Sequence, residues 1–414
     1  MSKKIILVIL LGIYVVSCKS QVVNDFFENS PMDDLIKRSA ELRIIGVGEA
    51  SHGIGDFHTL RKELFFTLVE KYQFNTVFLE AGFAECLLIN NYIKDDKSKY
   101  TAKQLLDSLN YYPWRNDEFV VLIEEMRNYN LAKGEDFLMF LGADMQFKNG
   151  AIKNILGIKG SKGEEILTEE QTSFLNELLI QEEDGDKVRI LTNLKGIKDR
   201  LSLTMDTAYF DDWLYKYCIT ALIQYFEMEY DTQYKDEGNS VRDISMAANI
   251  VNIMDANSKI KGIIIAHNGH ISKGIQSKGY KGFGFYLKER YKERYLALGT
   301  EFSTGKFIAV NPRLYRKNKG KNFFQEFEVI ENKSNSLGNK ILDLIPEDSN
   351  SKYWYVSPSV MKKKFRAKIF ATDLLGIHTK KIKKNYWKIV PSDHFDAIYF
   401  FKKVNSSSFY FLYQ

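Results

Sequence analysis

The stretch Arg43-Ile44-Ile45-Gly46-Val47-Gly48-Glu49-Ala50-Ser51-His52-Gly53 decides how this chain folds. Arg43 to Val47 is rich in β-branched residues and short enough for a buried strand. Gly46 and Gly48 read as breaks in that run. Helical spacing begins at Phe57 and continues through Leu60, Leu64, Phe65, Leu68, Val69 and Tyr72. Glu49, Ser51 and His52 are therefore expected in a tight turn at the carboxyl end of a strand, just before a helix. Ligands of open α/β sheets bind at such places. A carboxylate and an imidazole three residues apart among glycines suit a site, although glycine-rich strand ends are also ordinary turns.

The same pattern recurs further along. Asn75 to Leu79 is an apolar strand running into Glu80-Ala81-Gly82, with a helix expected from about Phe83. Asp136 to Leu141 is another strand, ending in Gly142-Ala143-Asp144. Lys261 to Ala266 is a third, ending in His267-Asn268-Gly269-His270. All-apolar strands separated by helices predict an α/β fold, with a mostly parallel sheet covered on both faces. Adjacent parallel strands would then carry Glu49 and Glu80 to one edge. Helices are expected over 117–131, 209–229 and 241–257. Residues 148–205 are charged and glycine-dotted, and read as an inserted helical cap or as a solvated helical connection. His267 and His270 suit either metal ligands or a division between base and orienting group. His58, His378 and His394 lack this strand-end context.

The chain opens with an export signal. Lys3 and Lys4 precede an apolar run from Ile5 to Val16, too short to span a bilayer and the right length for a signal core. Val15-Val16-Ser17-Cys18 resembles a bacterial lipobox, which makes Cys18 the lipidated first residue of the mature chain. Ordinary cleavage near Ser17 and an uncleaved anchor are the alternatives. Residues 1–18 are thus read as a lipoprotein signal, 19–32 as a tether, and 33–414 as the folded domain. The net charge of +5 falls to +3 without residues 1–17, which hold two lysines and no acids. So weak a balance points to no nucleic-acid partner. With Cys18 acylated, only Cys86 and Cys218 remain, too few and too far apart for a disulfide framework or a zinc motif. Cys218 falls in an apolar helical series and is expected in the core.

Six motifs in register carry a resemblance. They are Gly48-Glu49-Ala50-Ser51-His52-Gly53, Leu79-Glu80-Ala81-Gly82-Phe83, Trp114-Arg115 with Met126-Arg127-Asn128-Tyr129-Asn130, Gly142-Ala143-Asp144-Met145-Gln146, Arg242-Asp243 with Met246-Ala247 and Asn249, and Ala266-His267-Asn268-Gly269-His270-Ile271. Together they resemble the erythromycin esterase family from about residue 40 to 305. Asp393-His394-Phe395-Asp396-Ala397 resembles its closing strand more faintly. The resemblance implies an α/β hydrolase that opens an ester or lactone by water attack without a required metal or other cofactor. It implies His52 as general base, with Glu49, Glu80, Arg61, His267 and His270 completing the pocket and Arg242 a weaker addition; Asp144 is placed with Arg242 as substrate-binding. The implied partners are a small-molecule ester or lactone and, through Cys18, the membrane of the cell envelope. Ester hydrolysis needs a base for water, donors for the oxyanion and an acid for the leaving alkoxide. No Gly-x-Ser-x-Gly elbow offers a serine nucleophile. Asp56 stands where the family usually has Glu, and the 148–205 cap need not match a macrolide binder, so the substrate does not carry over. More distant relatives of the fold leave a metal-dependent hydrolase, or a metal- or haem-binding lipoprotein without turnover, as the second reading.

Overall fold

A computed structural model describes residues 42–410, apart from 110, 135–137, 161, 181–185, 206–208, 231–240, 318–323, 331–335, 347–350, 359, 362–366 and 371–385. The signal, the tether and Cys18 lie outside the described residues.

The chain alternates strand and helix. The order is β1 (Ile44–Glu49), α1 (Gly55–Tyr72), β2 (Thr76–Gly82), α2 (Phe83–Tyr92), α3 (Asp117–Lys133) and β3 (Met139–Asp144). Five further helices follow: α4 (Lys148–Leu156), α5 (Glu169–Ile180), α6 (Lys187–Thr204), α7 (Phe210–Tyr230) and α8 (Val241–Ala256). Then come β4 (Gly262–His267), the short α9 (Asn268–Ile271), α10 (Phe283–Tyr291) and the long β5 (Tyr295–Val310). The remainder holds β6 (Phe324–Val329), β7 (Trp354–Val356), β8 (Ala367–Phe370), β9 (Tyr386–Ile389) and β10 (Ala397–Val404).

The main sheet runs β3-β2-β4-β1-β5-β10-β7, with β6 joined to β5. Its members are parallel except β6 and β7. A separate antiparallel pair is formed by β8 and β9. Strand side chains alternate between two apolar layers. Ile45, Val47, Val77, Leu79, Ile263 and Ile265 face α1 and α3, whereas Phe78 and Ile264 face the layer built by α4 to α8 and α10. Helices on both faces explain why these strands are apolar throughout. Cys218 is buried in the second layer, as its helical series predicts.

Two details differ from the sequence reading. The chain does not break at Gly46 and Gly48, since β1 continues to Glu49. A Cβ on Gly48 would lie 2.2 Å from Asn268 Oδ1 and 3.0 Å from its Cα. That glycine makes room for the turn that follows β4. Nor do β1 and β2 touch: β4 lies between them, in register with both. From β1 the chain crosses over β4 to reach β2, and from β4 it crosses over β1 to reach β5. The two connections leave β1 and β4 on opposite faces of the sheet, the arrangement at which open α/β sheets form their crevice. Glu49 and His267 are the register partners there.

Candidate active site

The tips of β3, β2, β4 and β1 bring Asp144, Glu80, His267 and Glu49 along one sheet edge. Glu80 sits at a register shift between β2 and β3, where Leu79 pairs with Gly142 but Gly82 pairs with Asp144. Such a bulge re-aims a side chain. Gly142 permits it, because a Cβ there would lie 2.5 Å from the carbonyl oxygens of Ala81 and Gly82. The carboxylate turns toward β4, and Glu80 Oε2 accepts the His267 backbone N–H at 2.9 Å.

The first cluster surrounds His52. Its Nδ1 hydrogen-bonds Glu49 Oε1, and its Nε2 has no hydrogen-bond partner among the described residues. Arg61 lies behind the pair, fully buried on α1. Its Nη1 donates to Glu49 Oε2 at 2.5 Å, Nη2 to the Ala266 carbonyl at 2.8 Å and Nε to the Val47 carbonyl at 3.2 Å. Arg61 thus holds the carboxylate that holds His52. An oxyanion would find its donors elsewhere. Burial pushes the Glu49 carboxyl up, but Arg61 and His52 outweigh it and bring its pKa to about 2. His58, set aside in the sequence, belongs here too. Its Nε2 meets the His52 carbonyl at 3.2 Å, and its Nδ1 is 3.8 Å from Glu49 Oε2. Burial brings His58 down to about 4. The available signal was its place on the inward face of α1, one turn before Arg61.

The second cluster surrounds Arg242, at the start of α8. Its Nη2 donates to Glu80 Oε1 at 2.9 Å and to Asp144 Oδ2 at 2.6 Å. His270 Nδ1 meets Asp243 Oδ1 at 2.7 Å, and its Nε2 lies 3.3 Å from Glu80 Oε1. Tyr280 and the Phe283 amide also donate to Asp243, at 2.5 and 2.8 Å. Burial disfavours a charged His270, yet the Asp243 and Glu80 carboxylates outweigh it and raise the pKa to about 10. Arg242 Nη1 also lies 3.2 Å from His270 Nε2. With both ring nitrogens protonated, that is a proximity of like charges and not a hydrogen bond. Asp243 stood in the Arg242-Asp243 motif without a role of its own, and Tyr280 was not singled out; the packing of α8 against the chain after β4 brings both to His270.

His267 stands between the clusters, its ring 5.5 Å from that of His52 and 6.5 Å from that of His270. Its Nδ1 accepts the Gly269 N–H at 3.2 Å, so the neutral ring carries its proton on Nε2. That atom is buried and unpartnered among the described residues. Burial, with His52 and His270 nearby, lowers the pKa to about 3. Aromatic rings complete the walls. Trp114 lies edge-on 5.4 Å from His52 and donates its Nε1–H to the Glu80 carbonyl at 2.9 Å; Tyr111 is 6.2 Å from His52, and Trp387 of β9 is 5.6 Å from His267. Of the candidate residues, Glu49, His52, Arg61 and His267 gather at β1/β4, and Glu80, Asp144, Arg242 and His270 gather beside them.

The shifts of these three histidines together favour the folded chain most near pH 6.5, while buried Glu85, raised to about 7, works against them between about 4.5 and 7. His58 and His267 are held neutral, so the unfolded chain takes up their protons first and stability falls as pH drops from about 6.5 toward 4 and 3. His270 acts oppositely: its contribution is complete below about 6.5 and is lost as pH rises toward 10. Urea midpoints measured from pH 4 to 10 test this; a flat profile above pH 6.5 would remove the charged His270.

The description of the erythromycin esterase family matches residues 69–404. An erythromycin esterase type II from Escherichia coli is 26% identical over 324 residues, spanning 68% of this chain and 74% of that protein. Among solved structures, a succinoglycan biosynthesis protein superposes with a TM-score of 0.74 at 18% identity, covering 92% of both chains. An EreC erythromycin esterase variant in its open conformation gives 0.66 at 17% identity, covering 91% of this chain and 94% of its own. At these identities the structural likenesses establish the fold.

Proposed function

The chain belongs to the erythromycin esterase family, and from that premise we propose that it is an ester hydrolase in which His52 activates water, lipid-anchored to the cell envelope. The observation that carries this reading is the pairing of His52 and His267. Glu49 takes His52 Nδ1–H, which leaves the Nε2 lone pair as the base, and the unpartnered His267 Nε2–H belongs to a ring 5.5 Å from that of His52. Water gives a proton to His52 Nε2 as its oxygen bonds to the ester carbonyl carbon. His267 donates to the oxyanion. The imidazolium, stabilised by ionised Glu49, returns the proton to the leaving alkoxide as the carbon–oxygen bond breaks. Charged His270 and Arg242, fixed by Glu80, Asp144 and Asp243, keep the pocket's acids neutralised. The helices over 148–205 start just past Asp144 and pack into the layer on one face of the sheet, which suits a helical connection better than a cap over the pocket.

A metal centre suits these side chains less well. Glu49 is committed to Arg61 and His52, Glu80 and Asp144 to Arg242, and His270 to Asp243. A panel of p-nitrophenyl and lactone esters, with and without chelator, tests the reading. Turnover is expected to survive chelation; loss on chelation with recovery on adding a divalent ion would favour a metal-bound water. Anchoring rests on Val15-Val16-Ser17-Cys18. Cys18→Ala is expected to leave an unprocessed precursor or to release the protein from membranes, and identical fractionation and migration would overturn it.

A further inference from the structure

We propose that the cleft at the amino edge of the sheet, opposite the site, is a docking surface for the head groups of anionic phospholipids. The cleft encloses about 880 Å³ and is lined by Arg43, Lys259, Lys261 and Arg294, with no acid among its described lining residues. Three of these cations precede strands: Arg43 before β1, Lys261 before β4 and Arg294 before β5. The topology therefore gathers them at one edge, while Glu49, Glu80, Asp144 and His267 occupy the other. None of the four takes part in a salt bridge among the described residues. Asp255 and Glu293, acids close by in the chain, are held by Arg290 at 3.2 Å and Lys288 at 2.9 Å. Arg43 donates through Nε and Nη2 to the Ile260 carbonyl at 3.1 and 2.8 Å, and Lys261 Nζ donates to the Tyr72 carbonyl at 3.3 Å. Those bonds fix the two side chains and leave Arg43 Nη1 and the remaining Lys261 protons for another acceptor. Lys259 is exposed.

The route of the chain selects a lipid among possible anions. The described chain begins at this edge, with Leu42 and Arg43, downstream of Cys18. On the lipid-anchored reading, on which this inference rests, the protein is held at an anionic leaflet, and this edge carries the cluster of cations that such a leaflet attracts. An anionic leaflet attracts basic residues within a Debye length, about 10 Å at 0.1 M salt.

Full-length protein, incubated with vesicles of phosphatidylcholine alone or mixed with phosphatidylglycerol, tests the docking by acetylation of surface amines read by mass spectrometry. Lys259 should react several-fold more slowly on the phosphatidylglycerol vesicles, whereas exposed Lys402, near the carboxyl end of β10, should react equally on both. The protection should vanish at about 1 M salt, where the Debye length is roughly 3 Å, and Arg294→Glu should weaken it about five-fold or more. Equal labelling of Lys259 on the two vesicle types overturns the proposal. So does equal protection by millimolar inorganic phosphate without vesicles, which would identify a soluble-anion site. Failure of anchoring is separate, because it appears in the migration of Cys18→Ala and not in the labelling of Lys259.

Discussion

Replacing His52 with alanine is expected to lower ester turnover by about 10²–10⁴-fold, the usual cost of losing a positioned base, while the protein remains folded. The fold should survive because Glu49 keeps its contact with Arg61 at 2.5 Å, so no buried carboxylate is left alone. The loss should fall on kcat more than on KM, since the base acts on water. His267→Ala should also slow turnover, by about 10²–10³-fold if it removes an oxyanion donor. Because both residues serve one transition state, the double variant should lose much less than the product of the two effects. Single-turnover rates on one p-nitrophenyl ester would separate the outcomes. Chelator-insensitive turnover that persists undiminished in His52→Ala would end the water-activation reading.

The largest effect on stability should come from Arg61→Met. The substitution keeps much of the volume but leaves Glu49 charged and unpaired in a fully buried position, and breaking a buried pair in this way costs about 3–5 kcal/mol. The Val47 and Ala266 carbonyls would lose their donors as well. Adding Glu49→Gln should recover part of the loss, since the stranded charge is then gone. The acid limb offers a second readout. With its pKa near 2, Glu49 contributes stability that is complete above its unfolded value of about 4.5 and is lost as pH falls toward 2. In Arg61→Met that limb should move to higher pH, because burial would act on the carboxylate without the guanidinium. Denaturant midpoints of the single and double variants measure both. A loss under about 1 kcal/mol would mean that the ion pair does not organise the site.

Local pattern determined much of this protein. The apolar runs before Glu49, Glu80, Asp144 and His267 identify buried parallel strands, because only a strand covered on both faces is apolar without alternation. Glycines and polar groups at the ends of those runs mark one edge for the candidate site, because parallel strands align their carboxyl ends. Which groups meet there was settled by the order β3-β2-β4-β1, which no local period encodes. That order inserts β4 between the two glutamates, so Glu49 serves His52 while Glu80 serves Arg242 and His270. It also turns Arg61 inward and brings His58, Asp243 and Tyr280 beside the site. Spacing along a chain fixes which face of an element a residue occupies. Partners far apart in the chain are chosen only when the strands assemble and each buried charge must find its counter-charge.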